Sequence, residues 1–324
     1  MRLAIMARAV FALALAMVWP LTVQAQAQAP AKPYAFNVLN QRTLALTAEY
    51  WNPILTYVSK KSGVPLELKL TRTAQEGNAI AEKGGYDFLY TNHFFTPERD
   101  GLGFQVIARP VGPGLQSQIV VPSDSPARTL QDLEGKDVGF VSRDGFSGYY
   151  VPLDALLRAK VRVNMSITGN QEASVAQLKV GKIAAAGVNG LILERYARRE
   201  GFAYRALWTS PMYPDLCIMA HKRVPADKIA AVRAALVGMN KDPEGRKVLE
   251  ASAAVIKATG DTGFVASDDK EYDGYRTFFK NTFVDELRCV KLSFLEIEIC
   301  QVVQTPCTTF LPPDPCICRK LHGF

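Results

Sequence analysis

Between Tyr34 and Tyr90 three short apolar runs alternate with two stretches of helical periodicity, and this alternation restricts the fold more than any other feature. Tyr34–Leu39 (YAFNVL), Leu66–Leu70 and Tyr86–Tyr90 (YDFLY) read as strands. Leu44–Ser62 sets Trp51, Ile54, Leu55 and Val58 at helical spacing and closes at Gly63, so these apolar side chains are assigned to the core and to no function. Ala74–Lys83 reads as a second helix, ended by Gly84-Gly85. Strand–helix–strand–helix–strand with short connections implies a parallel sheet covered by helices. Ligands of such sheets sit beyond the carboxyl ends of the strands. Arg42 and the Tyr90-Thr91-Asn92-His93 turn therefore fall on one rim.

The same texture continues. Phe104–Ala108 and Gln116–Val121 read as strands with Pro110–Gly114 crossing between them, and Val138–Val141, Met165–Gly169, Ala184–Val188 and Tyr204–Thr209 as further strands. Gln171–Val180 and Leu191–Glu200 are intervening helices; Ser210–Leu216 (SPMYPDL) carries the chain back to closing helices at Ala226–Asn240, Pro243–Ser252 and Asp269–Asn281. This is an α/β architecture of two lobes joined by two crossings. The expected division is 26–115 for the first part of lobe 1, 116–215 for lobe 2 and 216–282 for the return to lobe 1. A cleft between lobes is where a small ligand would sit.

Residues 1–25 read as a signal peptide, not as fold. Arg2 and Arg8 are basic, Ala9–Leu21 is apolar and broken by Pro20, and Val23-Gln24-Ala25 is a small-residue cleavage pattern, with shifted sites after Ala27 or Ala29. Export to the periplasm is the expectation. Without those two arginines the formal net charge falls from +7 to +5, spread along the chain with no basic run of the nucleic-acid kind. That balance suits an anionic small ligand and fits blander roles equally well. Cysteines are lopsided: Cys217 stands alone, and the other five of the six crowd residues 283–324. That tail is expected to be an unrelated extension or a small disulfide-stapled appendage.

The stretch VGFVSRDGFSGYYVPLDALLRA (138–159) carries the clearest ligand signal. A buried strand feeds a small-residue loop and then a helix start with Pro152. Unpaired backbone N–H groups and the positive helix end favour an oxyanion there. Ser142 and Ser147 add hydroxyls, and Gly148 permits close approach. The plain alternative is a helix cap and an eased turn. Other candidates carry the same duality. Arg42 is an oxyanion grip or a solvated loop residue. Asn92 and His93 are rim contacts or structural polar groups, and Tyr149 is a ligand contact or helix-start packing. Asn189 is a cleft amide or a turn former, and Asp215 a cleft acid or a turn residue after Pro214.

Catalysis finds little support. The three histidines have no second histidine or paired carboxylates at metal-ligand spacing, and no P-loop occurs. GFSGY lacks the final glycine of a nucleophile elbow and has no convincing His/Asp partners. No metal, cofactor or catalytic residue is expected.

LQDLEGK before a strand, then FSGYYVPLDALL, then GNQEASVAQLKVGKIAAAGVN resembles the periplasmic binding proteins of phosphate/phosphite/phosphonate ABC transporters, over about Tyr34 to Thr282. The resemblance implies a two-lobed type-2 periplasmic binding protein fold with its ligand cleft between the lobes. It implies no catalysis, a monomer, and delivery of a small anion to an ABC permease in the inner membrane. A ligand-sensing module for a membrane receptor is the alternative. The family's serine loop falls on Gly145-Phe146-Ser147-Gly148, with Phe146 where a hydroxyl residue is usual. Its ligand histidine falls on Gln171, and its ligand tyrosine on or beside Tyr90 and Thr91. Of its two amine-binding acids, one matches Asp215 and the other appears as Leu191. These departures implicate a simple phosphonate, phosphite, phosphate, carboxylate or sulfonate at least as much as an aminophosphonate.

Overall fold

The computed structural model describes residues 32–39, 41–258 and 260–284; the expected signal peptide and the tail cysteines lie outside them. Strand β1 (Tyr34–Val38) leads through Thr43 to α1 (Leu44–Ser62). The Thr43 hydroxyl accepts from the Leu46 amide, and Gly63 ends the helix in the left-handed conformation, φ 67°. β2 (Leu66–Lys69), α2 (Ala74–Glu82), β3 (Phe88–Thr91), β4 (Phe104–Pro110) and β5 (Ser117–Pro122) follow. Next come β6 (Asp137–Phe140), a π-helical turn (Phe146–Tyr150), α3 (Val151–Arg158), β7 (Asn164–Ile167), α4 (Gln171–Lys179), β8 (Ala185–Asn189), α5 (Gly190–Glu200) and β9 (Tyr204–Thr209). β10 (Cys217–His221), α6 (Ala226–Gly238), α7 (Pro243–Val255), β11 (Phe264–Ala266) and α8 (Asp273–Asn281) complete the described chain.

The strands form two sheets, each covered by helices. One has the order β11-β4-β10-β3-β1-β2, the other β7-β6-β8-β5-β9. β1 runs parallel to β2 and β3, as the sequence implies, and β6 parallel to β7 and β8. The chain changes sheets twice, after β4 and after β9. The two crossings pair with each other: Leu115 and Tyr213 exchange backbone hydrogen bonds of 2.8 and 2.9 Å. Gly114 permits this approach, since a Cβ there would lie 2.1 Å from the Tyr213 carbonyl oxygen.

β10 is missing from the sequence expectation, which assigns no element between the loop ending at Leu216 and the helix from Ala226. Cys217–His221 instead inserts between β3 and β4, antiparallel to both. All of it but His221 is buried, so it shows a run and not the alternation of a half-exposed strand.

The cores are laid out accordingly. One cluster joins β1 and β3 to α1, α6 and α7; a second fills the space between the other sheet and α4 and α5. The largest runs across both sheets, from Leu89, Phe94 and Phe95 through Phe140 and Phe146 to Tyr275 and Phe279 of α8. The chain stays packed two residues past Thr282. The buried Asp154 carboxylate of α3 accepts from the Thr282 hydroxyl (3.0 Å) and the Phe283 amide (2.7 Å), and Val284 is buried. Among the described residues no helix is long and apolar enough to cross a membrane.

Candidate ligand site

Strand register decides which residues share an edge. Val38 pairs with Tyr90 and Thr91 with Cys217. The segment after β1 with Arg42, the end of β3 with Tyr90 to His93, and Asp215 before β10 therefore lie at one edge of the first sheet. In the second sheet Ser117 pairs with Asn189, and β6 runs parallel to β8. This gathers the end of β6, the start of β5 and the start of α5.

The loop after β6 is the most closely built part of the site. Ser142 is buried, and its carbonyl accepts from Gly145. The chain then turns with π-type spacing, Tyr150 N–H reaching the Gly145 carbonyl at 3.0 Å. Neither the Ser147 nor the Gly148 amide has an acceptor among the described residues. The Ser117 hydroxyl pins the Ser147 carbonyl at 2.7 Å. The Gln171 amide nitrogen reaches Ser147 Oγ at 3.4 Å, while its oxygen accepts from Asn189 N–H at 2.9 Å. Asn189 in turn caps α5 by accepting from the Leu191 and Ile192 amides. Gly148 has no room for a side chain: a Cβ would sit 2.4 Å from Val141 Cγ2 and 3.1 Å from Gln171 Nε2. A fixed turn with two free amides and a hydroxyl can hold an oxyanion without reorganising.

Two expected contacts, Phe146 and Tyr149, are not brought to these donors. The Phe146 ring is 1% exposed and packs among Tyr213, Tyr275, Phe278 and Phe279. Tyr149 packs edge-on against Phe140 and Tyr150, and its hydroxyl accepts from Arg143 at 3.4 Å. In F-S-G-Y the turn gives its two central residues to the donor face, and the flanking aromatic residues face the core.

A second group assembles around Arg42. Arg42, Tyr50, Tyr90 and Asp215 from the first sheet's edge lie within electrostatic reach of Arg195 on α5. Burial, then the Arg195 charge, lowers the Arg42 guanidinium. Burial raises the Asp215 carboxyl, opposed by the Leu216 amide and then by Arg195 and Arg42. It also raises the hydroxyls of Tyr50 and, far more, Tyr90. Arg195 is absent from the sequence expectations. It lies one turn beyond Leu191 on α5, so it shares a face with the position where the family carries an acid.

The remaining rim residues build a contact between the lobes. The Asn78 amide nitrogen donates to His93 Nδ1 (3.1 Å) and to Asp144 Oδ2 (3.1 Å), and Arg99 bonds Asp144 Oδ1 (3.2 Å). Asp144 belongs to the loop entering the Ser147 turn, so lobe 1 grips lobe 2 beside it. Thr91 Oγ1 accepts from the His93 amide, and Asn92 donates to the Tyr275 hydroxyl at 3.3 Å. No group of three or more His, Cys, Asp or Glu suited to a metal occurs among the described residues.

Comparisons with known proteins bear on the family and the fold. The family model described as "ABC transporter, phosphonate, periplasmic substrate-binding protein" matches residues 36–272. A binding protein component of an ABC phosphonate transporter from Pseudomonas aeruginosa superposes with a TM-score of 0.64 at 18% identity, covering 76% of this chain and 85% of that one. PhnD1 from Prochlorococcus marinus, in complex with methylphosphonate, gives 0.66 at 15% identity over 77% and 97%. The aliphatic sulphonate binding protein SsuA from Escherichia coli gives 0.51 at 12% identity over 77% and 86%. At such identities the structures show a shared two-lobed fold and nothing finer. No curated protein sequence matches this chain.

Proposed function

Because the chain belongs to the family of periplasmic substrate-binding proteins of phosphonate ABC transporters, we propose that it captures a small phosphonate-like oxyanion in the periplasm and delivers it to an ABC permease. The family is one of solute-binding transport proteins, not enzymes. The observation that carries the choice of ligand is the turn at Ser147 and Gly148: two amides without acceptors and a hydroxyl, braced by Ser117 and Gln171. A tetrahedral anion presents three oxygens to such donors, and charge-assisted bonds from fixed donors are the strong ones. Asn189 steadies Gln171, and Thr91, Asn92 and His93 form the facing rim. The signal peptide at residues 1–25 and action as a monomer are part of this reading. Asp144 meets Asn78 and Arg99 across the lobes, contacts that would hold a closed form for a permease to select.

Methylphosphonate at about 100 times its dissociation constant adds about 2.7 kcal/mol to stability, which raises Tm by several degrees. Ser147→Ala removes one hydrogen bond to a charged group, about 1.5–3 kcal/mol, and is expected to weaken methylphosphonate about tenfold or more by calorimetric titration. Stabilisation by sulfonates or carboxylates, with none by any phosphorus oxyanion, would contradict the proposed ligand class.

A further inference from the structure

The donors at Ser147 and Gly148 leave the arginine pair unexplained. Arg42 comes from the first sheet's edge and Arg195 from α5, and each lies within electrostatic reach of the other. No ion pair of either with a carboxylate is seen among the described residues. The Arg195 Nε–H is buried and partnerless. A buried donor in that state costs about as much as a broken hydrogen bond, and two like charges in a low-dielectric cleft repel.

The neighbouring acids do not relieve this. Glu172 is taken by Arg199 at 3.0 Å. Asp215 bonds the Leu216 amide at 2.7 Å and touches neither arginine. The other arginine near it, Arg109, is itself paired with Glu271 at 2.6 Å. Two guanidinium charges against one carboxylate leave this group at +1, so one further monoanion balances it. The group is also contiguous with the turn. Gln171 touches Ser147, its neighbour Glu172 lies within reach of Arg42, and Asn189, which Gln171 holds, caps the helix carrying Arg195.

Resting on the ligand class proposed above, we propose that the physiological ligand carries two acidic groups, a phosphonate at the Ser147–Gly148 turn and a carboxylate between Arg42 and Arg195. The ligand class is thus the short phosphonocarboxylates. The guanidinium fork suits a planar carboxylate, which it can bind with two parallel bonds. Leu191 stands where the resemblance places one of two amine-binding acids, and the other, Asp215, lies within electrostatic reach of both arginines.

The test is calorimetric titration of the purified protein with methylphosphonate and with phosphonoacetate, repeated on Arg195→Gln and on Arg42→Gln. The expected result is that phosphonoacetate binds at least tenfold more tightly to the parent protein. Either substitution should weaken phosphonoacetate far more than methylphosphonate, so that the advantage disappears. Equal affinity of the parent for both ligands overturns the inference. So does an equal loss for both ligands in the variants, which would mean that arginines and turn grip one oxyanion. Silence toward both phosphonates overturns the ligand class itself, and the inference with it. Arginine substitutions from two different elements guard against a single variant that fails to fold.

Discussion

Phe146→Ala is expected to lower the stability of the protein by about 3–5 kcal/mol, the range for truncating a buried phenylalanine. The ring is 1% exposed and has four aromatic neighbours with centroids at 4.1 to 5.6 Å. Tyr213 comes from a crossing and Tyr275, Phe278 and Phe279 from α8, so the cavity left behind would lie where turn, crossing and closing helix meet. Collapse around it is impeded because these partners are themselves held. Tyr275 Oη bonds the Pro214 carbonyl at 2.6 Å, and Arg158 holds the Asn281 carbonyl at 2.7 Å. At about 2–4 °C per kcal/mol for a chain of this size class, Tm should fall by about 10 °C. Phe146→Ser is the sharper variant, because it restores the hydroxyl usual in the family at this position. It should cost at least as much stability and give no gain in methylphosphonate affinity, since the side chain faces the aromatic cluster. Tighter binding by Phe146→Ser with Tm unchanged would show that the ring is not structural.

The extent of helix α1 was legible in the sequence, since Trp51, Ile54, Leu55 and Val58 repeat at helical spacing and Gly63 stops it. The parallel strands β1, β2 and β3 were legible for the same reason, each bounded by turn residues. β10 was not. Cys217 to Ala220 is a short uniform apolar run inside a sheet, and such runs lack the period that marks a strand. The site divides likewise. A strand, a small-residue loop and a helix start are local features, so the turn around Ser147 could be read directly. Which way the Phe146 ring faces depends on Tyr275 and Phe278, more than a hundred residues away. Arg195 was invisible for a related reason. On α5 it looks like one more charge on a polar helix until β5 and β8 place the start of that helix at the edge shared with Asn189.

Acidification is expected to destabilise the protein through His93 by about 2.5 kcal/mol between pH 7 and pH 4.5. Burial lowers the imidazole from its ordinary 6.5 to about 4, the Arg99 charge adds to this, and the Asp144 carboxylate opposes it. The hydrogen bonds explain why burial prevails. Asn78 must direct its NH2 group at the Asp144 carboxylate, so the same nitrogen donates to His93 Nδ1 and keeps that atom unprotonated. At pH 7 both folded and unfolded chains carry neutral His93. Between about 6.5 and about 4 the unfolded chain takes up a proton that the folded one refuses, so stability falls as pH drops through that window and levels off below it. His93→Asn keeps an acceptor for Asn78 and cannot titrate. Urea denaturation of the two proteins at pH 7 and pH 4.5 should show the parent losing about 2.5 kcal/mol more than the variant. Parallel losses would mean that His93 is protonated in the folded state without penalty. The consequence reaches the ligand site. A proton on Nδ1 repels the NH2 group that also holds Asp144, and Asp144 anchors the loop entering the Ser147 turn. The folded chain takes that proton only as pH falls through about 4, so methylphosphonate affinity should drop there in the parent and not in His93→Asn.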